Sequence, residues 1–233
     1  MALTVFGCNN EEWMEQPAVK GNTTIVASFG GNSSTTRTSI NERYQILWSE
    51  GDKFGMFDND NTLSEFSLES GAGTNTATFR GDIASEKHGV CAVFPYQEKK
   101  SMSISDNTLT MTLPASFEYT QNSNGPMYAE VTDPTNLNQL SFKHMAALIK
   151  LTVNKIPTDA TTFKISASNN IAGICTAELR EGETPELKVK DDINASKTIT
   201  VSLSDEVKDS RSFFIPLPVG TYKSITAELT GNN

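Results

Sequence analysis

The segment Thr24-Ile25-Val26-Ala27-Ser28-Phe29 shows the pattern that decides the fold of this chain. Apolar and polar side chains alternate one by one, which predicts a β-strand with one buried face. The same alternation recurs in three later segments: Ser103–Leu113, Phe163–Ala167 and Thr198–Leu203. Turn-forming residues separate such segments at short intervals, for example Gly30-Gly31-Asn32, Asp58-Asn59-Asp60-Asn61, Gly71-Ala72-Gly73, Asp106-Asn107 and Ser168-Asn169-Asn170. Short strands with this spacing predict an all-β protein built as a sandwich or barrel.

The best helical candidate, residues 144–149, continues into Leu148-Ile149-Lys150-Leu151-Thr152-Val153, so we predict a strand there as well. Residues 130–138 are polar and contain Pro134, which predicts a junction between two domains. The first sandwich is expected over residues 24–135 with about seven strands, and the second over residues 136–233. The chain ends in the turn signal Thr230-Gly231-Asn232-Asn233, so we expect the second sandwich to be incomplete.

Composition argues against a nucleic-acid partner and against a membrane-spanning helix. The chain has 233 residues, a net charge of −9 and a pI near 4.8, and its longest basic cluster is Lys99-Lys100. Nucleic-acid binders carry basic patches, so nucleic acid is not an expected partner. No apolar stretch approaches the ~18–20 residues of a membrane-spanning helix.

A short apolar run near the start, Leu3-Thr4-Val5-Phe6-Gly7, leads into Cys8 and then into polar residues. This pattern is typical of a bacterial lipobox, in which a signal peptidase cuts before the cysteine and its sulfur is acylated. Residues 1–7 would then be a signal-peptide remnant and residues 8–23 a flexible tail. The alternative is a disordered tail with an incidental cysteine.

The other two cysteines, Cys91 and Cys175, lie in apolar strand-like runs. Burial as small hydrophobic side chains is the favoured interpretation. A Cys91–Cys175 disulfide stays open for an exported protein.

No set of residues predicts catalysis or a cofactor. His88 lies in a turn and is expected to be solvated, and His144 is expected to be packed. The nucleophile elbow, zinc, P-loop and Rossmann motifs are absent. The turn Asp58–Thr62, with Glu69 at the twelfth position, resembles a calcium loop, but Leu63 occupies the place that requires glycine. We therefore predict no metal, no cofactor and no enzymatic activity.

Seven aromatic residues could form a sugar-binding platform: Trp13, Tyr44, Trp48, Phe94, Tyr96, Phe117 and Tyr119. A glycan-binding surface lipoprotein is the alternative function that this platform supports. Core packing explains the same residues more simply, because an all-β domain needs large side chains between its sheets.

An ordered set of motifs resembles the fimbrillin-like family of Bacteroidetes, the subunits of lipoprotein-derived (type V) pili. The most specific part is Arg37-Thr38-Ser39-Ile40 leading to Leu47-Trp48-Ser49-Glu50-Gly51-Asp52-Lys53-Phe54-Gly55-Met56-Phe57. Weaker matches follow in the family's order: Ser70–Thr74, Ala77–Gly81, Ala92–Tyr96, Leu140–His144 and Phe213–Tyr222. Within the last match, two prolines and a glycine at residues 216–220 predict an edge or connecting segment.

The resemblance implies two transthyretin-like sandwiches in tandem, export as an outer-membrane lipoprotein at the cell surface, and no enzymatic activity. It also implies assembly: an arginine-specific protease removes a first strand, and a strand from the next subunit fills the groove. Arg37 is the cleavage candidate and Arg43 its rival; the alternative is an uncleaved anchor or accessory protein. The implied partners are other fimbrial subunits, the outer membrane through the lipid on Cys8, and surface ligands on host or microbial cells.

Overall fold

The computed structural model describes residues 21–29, 39–40, 46–119, 125–133, 139–204 and 211–231. All regular secondary structure within these ranges is β-strand, so the all-β prediction is confirmed. Nothing in the described chain forms a helix with the length and apolar character needed to cross a bilayer.

Nineteen strands follow one another in the described part of the chain. The first ten are β1 (Thr23–Phe29), β2 (Ser39–Ile40), β3 (Ile46–Leu47), β4 (Lys53–Asp58), β5 (Leu63–Ser70), β6 (Thr76–Gly81), β7 (Gly89–Phe94), β8 (Ser103–Ser105), β9 (Thr108–Leu113) and β10 (Ser116–Glu118). The other nine are β11 (Met127–Glu130), β12 (Leu140–His144), β13 (Ala147–Val153), β14 (Ala160–Ala167), β15 (Gly173–Glu178), β16 (Lys188–Val189), β17 (Thr198–Ser202), β18 (Arg211–Leu217) and β19 (Ile225–Gly231).

Seven of these strands close into a ring in the order β1-β12-β11-β7-β4-β5-β6, with β6 pairing back to β1. Successive side chains of a strand point to opposite faces, so every second side chain points into the interior of the ring. Large aromatic side chains fill that interior: Trp48, Phe54, Phe66, Phe79, Phe94 and Phe142. The apolar cluster around them is the first core of the protein.

A second sheet, β16-β15-β9-β8, contributes to a core on the outer face of the ring. Phe57, Val93 and Tyr128 of the ring strands share this core with Met111 and Cys175. Strands β4 and β7 are consequently buried on both faces, which explains why Phe54–Phe57 and Cys91–Phe94 are continuous apolar runs.

A third core lies among the sheet β10-β17-β14-β19 and the two-stranded sheet β13-β18. Phe163 of β14 stacks on Phe213 of β18 with ring centroids 4.0 Å apart. Pro216 lies on β18, which pairs within the described chain with β13 alone, so the predicted edge character of this segment is confirmed.

Four strand pairings of the described chain join the two sides of residue 135. In the ring β12 pairs with β1 and β11, and outside it β15 pairs with β9 and β17 with β10. The division of the chain into two sandwiches at residue 135 stays a prediction. One local prediction is wrong: Thr230 and Gly231 do not form a turn but extend β19, because their backbones lie opposite Thr162 and Ala160 of β14.

Candidate functional site

The candidate site is the position in the ring that strand β1 fills, between β6 and β12. We call this position the β1 slot. On one side β1 runs antiparallel to β6 over six residue pairs, from Thr23↔Gly81 to Ser28↔Thr76. On the other side it runs parallel to β12 over three pairs, from Ala27↔Leu140 to Phe29↔Phe142. Parallel pairing is slightly weaker per residue, so β1 is held less strongly on its β12 side than on its β6 side.

The start of β1 is fastened to the end of β6. Asn22 donates its backbone N–H to Asp82 Oδ1 at 2.7 Å, and Arg80 Nη1 donates to the Gly21 carbonyl at 3.3 Å. Gly21 has a φ of +138°, and a Cβ there would lie 2.5 Å from the Gly81 carbonyl oxygen. A glycine is therefore required for β1 to begin this close to β6.

The inner face of β1 is apolar and alternates in size. Ile25 and Ala27 are fully buried, and Phe29 is half-buried against the same cluster. Thr24 and Val26 point the other way and are more accessible. An extended segment with this alternation satisfies both the hydrogen-bond ladders and the interior of the ring.

Trp48 is the side chain that contacts β1 most specifically. Its indole Nε1 donates a hydrogen bond to the Ala27 carbonyl oxygen at 3.1 Å, in a buried position. Its ring stacks on Phe29 with a centroid separation of 4.3 Å and meets Phe79 edge-on at 4.8 Å. In the sequence Trp48 belongs to the family motif and to the possible aromatic platform, but no local pattern predicts this contact, which joins residues 21 positions apart.

A tight turn next to Trp48 fixes its position. Asp52 donates its N–H to the Ser49 carbonyl at 3.0 Å, while Asp52 Oδ2 accepts the Ser49 N–H at 2.7 Å. Gly51 has a φ of +80°, which is the conformation required at the third position of a type II turn. Glycine followed by aspartate is typical of such a tight turn. Burial raises the pKa of Asp52 to about 6, and the Ser49 hydrogen bond opposes that rise.

The Asp58–Thr62 turn, which resembles a calcium loop in sequence, is held together by hydrogen bonds between its own residues. Asp58 Oδ1 accepts the N–H groups of Asp60 at 2.9 Å and Thr62 at 2.8 Å. The side chain of Asp58 is buried rather than solvated. Within the described ranges, no three His, Cys, Asp or Glu side chains are grouped as a metal site would require.

The remaining sequence predictions have mixed outcomes. Cys91 and Cys175 are free and buried, and burial raises the pKa of each thiol to about 12, so the small-hydrophobe interpretation is confirmed. His88 is exposed, and burial lowers the pKa of His144 to about 4, as expected of a packed histidine. Cys8, Arg37 and Arg43 lie outside the described residues.

The aromatic platform does not form around Trp48 and Phe94, because both are core residues with 0% and 3% exposure. Tyr96, Phe117 and Tyr119 are half-buried, while Trp13 and Tyr44 lie outside the described residues. A buried ring cannot stack on a sugar, so this interpretation of Trp48 was wrong.

Comparisons with known proteins give the family of the chain and a solved structure of similar fold. The model of the fimbrillin-like family matches residues 36–233, and the chain belongs to that family. A crystal structure of a proposed cell adhesion protein from Bacteroides ovatus has a similar fold. It has a TM-score of 0.51 at 12% sequence identity, covering 91% of this chain and 84% of the other. No curated protein matches the chain.

Proposed function

We propose that this chain is a structural subunit or accessory protein of lipoprotein-derived (type V) fimbriae, joined to other fimbrial subunits by strand addition at the β1 slot. The observation that carries the proposal is the seam between β1 and β12. One of the ring's seven strands is held on that side by only three residue pairs, and it comes first in the described chain.

Family membership supports the broader role. The fimbrillin-like family is structural, which supports a fimbrial or adhesion role at the cell surface in association with other fimbrial components. The matched region begins at residue 36, so β1 lies before it and Arg37 lies at its start. A cut after Arg37 would separate β1 from the rest of the chain.

Removal of β1 would leave a site with strong affinity for a strand. The facing edges of β6 and β12 would expose unpaired N–H and C=O groups, and the interior would open onto Trp48, Phe79 and Phe142. Exposed edges of this kind recruit extended segments from other chains. A second subunit that offers such a segment would restore both the ladders and the core.

A lock-and-release experiment tests this proposal. Val26 and Thr78 face each other across β1 and β6, and both side chains are half-buried on the outer face. The variant carries Cys at both positions, Cys8→Ser to remove a third reactive thiol, and a sequence-specific protease site at residues 31–36. The chain is cut in the oxidised and in the reduced state and then separated by size.

We expect the reduced, cut chain to lose its β1 fragment and form oligomers that persist on an unheated detergent gel. The oxidised, cut chain is the matched control and should stay monomeric. If both states stay monomeric at high concentration, strand addition at the β1 slot is refuted.

We also propose that Cys8 carries the lipid anchor and that Arg37 is the natural cleavage site. Mass spectrometry of the mature protein tests both. An acylated N-terminal Cys8 supports membrane anchoring, and an N-terminus at Thr38 supports cleavage. An unmodified chain beginning at Met1 would refute both proposals.

A further inference from the structure

The hydrogen bond between Trp48 and β1 means that any strand in the β1 slot must provide an acceptor for the Trp48 indole N–H. Trp48 is fully buried, and its indole N–H is a donor that can be satisfied only by an acceptor inside the ring. In this chain that acceptor is the Ala27 carbonyl oxygen, at 3.1 Å. A strand shifted by one residue would turn its other face inward and present a different carbonyl group at this place.

The same side chain limits the size of the residue beside it. Trp48 lies among the rings of Phe79, Phe94 and Phe142, at centroid separations of 4.8, 5.7 and 5.6 Å. The β1 residue whose carbonyl meets the indole is an alanine, and it has no exposed surface. A larger side chain at this position would have to displace aromatic rings in a close-packed core.

Trp48 takes its position from residues that are not part of β1. Its backbone N–H donates to the Thr74 carbonyl at 2.8 Å, and its own carbonyl accepts the Gly73 N–H at 2.8 Å. The adjoining Ser49–Asp52 turn is closed by the bonds already described. These contacts fix the backbone of Trp48 to the β5–β6 hairpin, so the point from which its side chain extends does not depend on which strand fills the slot.

We propose that Trp48 is the residue that selects the strand accepted by the β1 slot. The accepted strand carries a small side chain where Ala27 lies, an aliphatic residue two positions before it and an aromatic or other large apolar residue two positions after it. The carbonyl group of the small residue accepts the indole N–H and sets the register. This inference rests on the proposed function, because it specifies the partner strand for the same slot.

Peptide exchange into the full-length chain tests the inference. The chain with a protease site at residues 31–36 and Cys8→Ser is cut, and its own β1 fragment is challenged with excess labelled peptide of residues 21–29. The second peptide carries Ala27→Val, since valine favours strands and any weakening would come from its size alone. The third peptide carries Thr24→Val at an exposed position as the matched control. Each peptide is tested on the parent and on Trp48→Phe, which keeps a ring but removes the donor and some volume.

We expect the parent to bind the Ala27→Val peptide about tenfold or more weakly than the unmodified peptide. The Thr24→Val peptide should bind like the unmodified one. Trp48→Phe should reduce the discrimination against Ala27→Val to a few-fold, a compensation that a general loss of stability would not produce.

Each other outcome has a defined meaning. Equal binding of the unmodified and Ala27→Val peptides overturns the inference but leaves strand addition intact. Unchanged discrimination in Trp48→Phe overturns it as well, because the selectivity would then come from other residues. If no peptide exchanges at all, strand addition itself fails and the inference fails with it.

Discussion

Replacement of Asp52 by asparagine should stabilise this protein at neutral pH, although Asp52 makes a good hydrogen bond. Burial raises the pKa of Asp52 from its ordinary value of 3.8 to about 6. Each pKa unit corresponds to about 1.4 kcal/mol between the two protonation states. The ionised carboxylate in the folded chain therefore costs up to about 3 kcal/mol relative to the unfolded chain.

The pH dependence follows from the direction of this shift. Between pH 3.8 and about 6, folded Asp52 holds its proton while unfolded Asp52 has released it. The folded state then binds more protons, so the contribution of Asp52 to stability falls as the pH rises through this window. In Asp52→Asn the amide oxygen can still accept the Ser49 N–H, and the charge is gone.

Thermal unfolding of both chains, followed by circular dichroism from pH 4 to pH 7.5, measures the difference directly. We expect little difference near pH 4 and a melting temperature for Asp52→Asn that is higher at pH 7.5, by at most roughly 6–12 °C. Other titrating groups, His144 among them, contribute equally to both chains and cancel. Glu50→Gln is the matched control, because Glu50 is exposed in the same turn and its loss changes the net charge equally. If Asp52→Asn follows Glu50→Gln at every pH, burial of the Asp52 carboxylate is not what limits stability.

Two further predictions concern the cores. Phe142→Ala should lower the free energy of unfolding by about 3–5 kcal/mol, because the ring is fully buried beside Trp48 and Phe54. Ile193→Ala, at 99% exposure, should change it by less than about 0.5 kcal/mol; similar denaturant midpoints for the two variants would contradict the packing argument. In a Cys8→Ser chain, Cys91 and Cys175 should resist a thiol reagent at pH 8 until denaturant is added, because both are buried and their thiol pKa values are raised. Rapid labelling of either cysteine in the native chain would show that the core around it opens without global unfolding.

The strands of this protein could be predicted from the sequence because each depends on a local pattern. Alternation from Thr24 to Phe29 marks β1, and Asp106-Asn107 marks the β8–β9 hairpin, where both residues have positive φ values of 49° and 55°. Such turns tolerate asparagine and aspartate better than other non-glycine residues. The fold class follows once enough strands of this kind are present.

The pairing of those strands could not be predicted in the same way. Ala27 lies opposite Leu140 across more than a hundred residues, and Met111 lies opposite Cys175. Such partners are chosen by long-range packing, which leaves no short-range signal. One clue was present: Phe54–Phe57 and Cys91–Phe94 are continuously apolar, which indicates strands buried on both faces. The bond from Trp48 to Ala27 depends on this pairing and stayed hidden with it.

The proposed strand addition would require cleavage, because β1 itself competes for the β1 slot. While β1 belongs to the same chain, it competes for the slot at an effective concentration of order millimolar. A strand from another subunit would have to match β6, β12 and Trp48 as well as β1 does, and would still compete from a lower concentration. Once a cut separates β1 from the ring, the two strands compete on equal terms. The six pairs with β6, the three pairs with β12 and the Trp48 hydrogen bond would then together set how long β1 remains. Selectivity for the incoming strand would rest with Trp48, while the timing of assembly would rest with the protease.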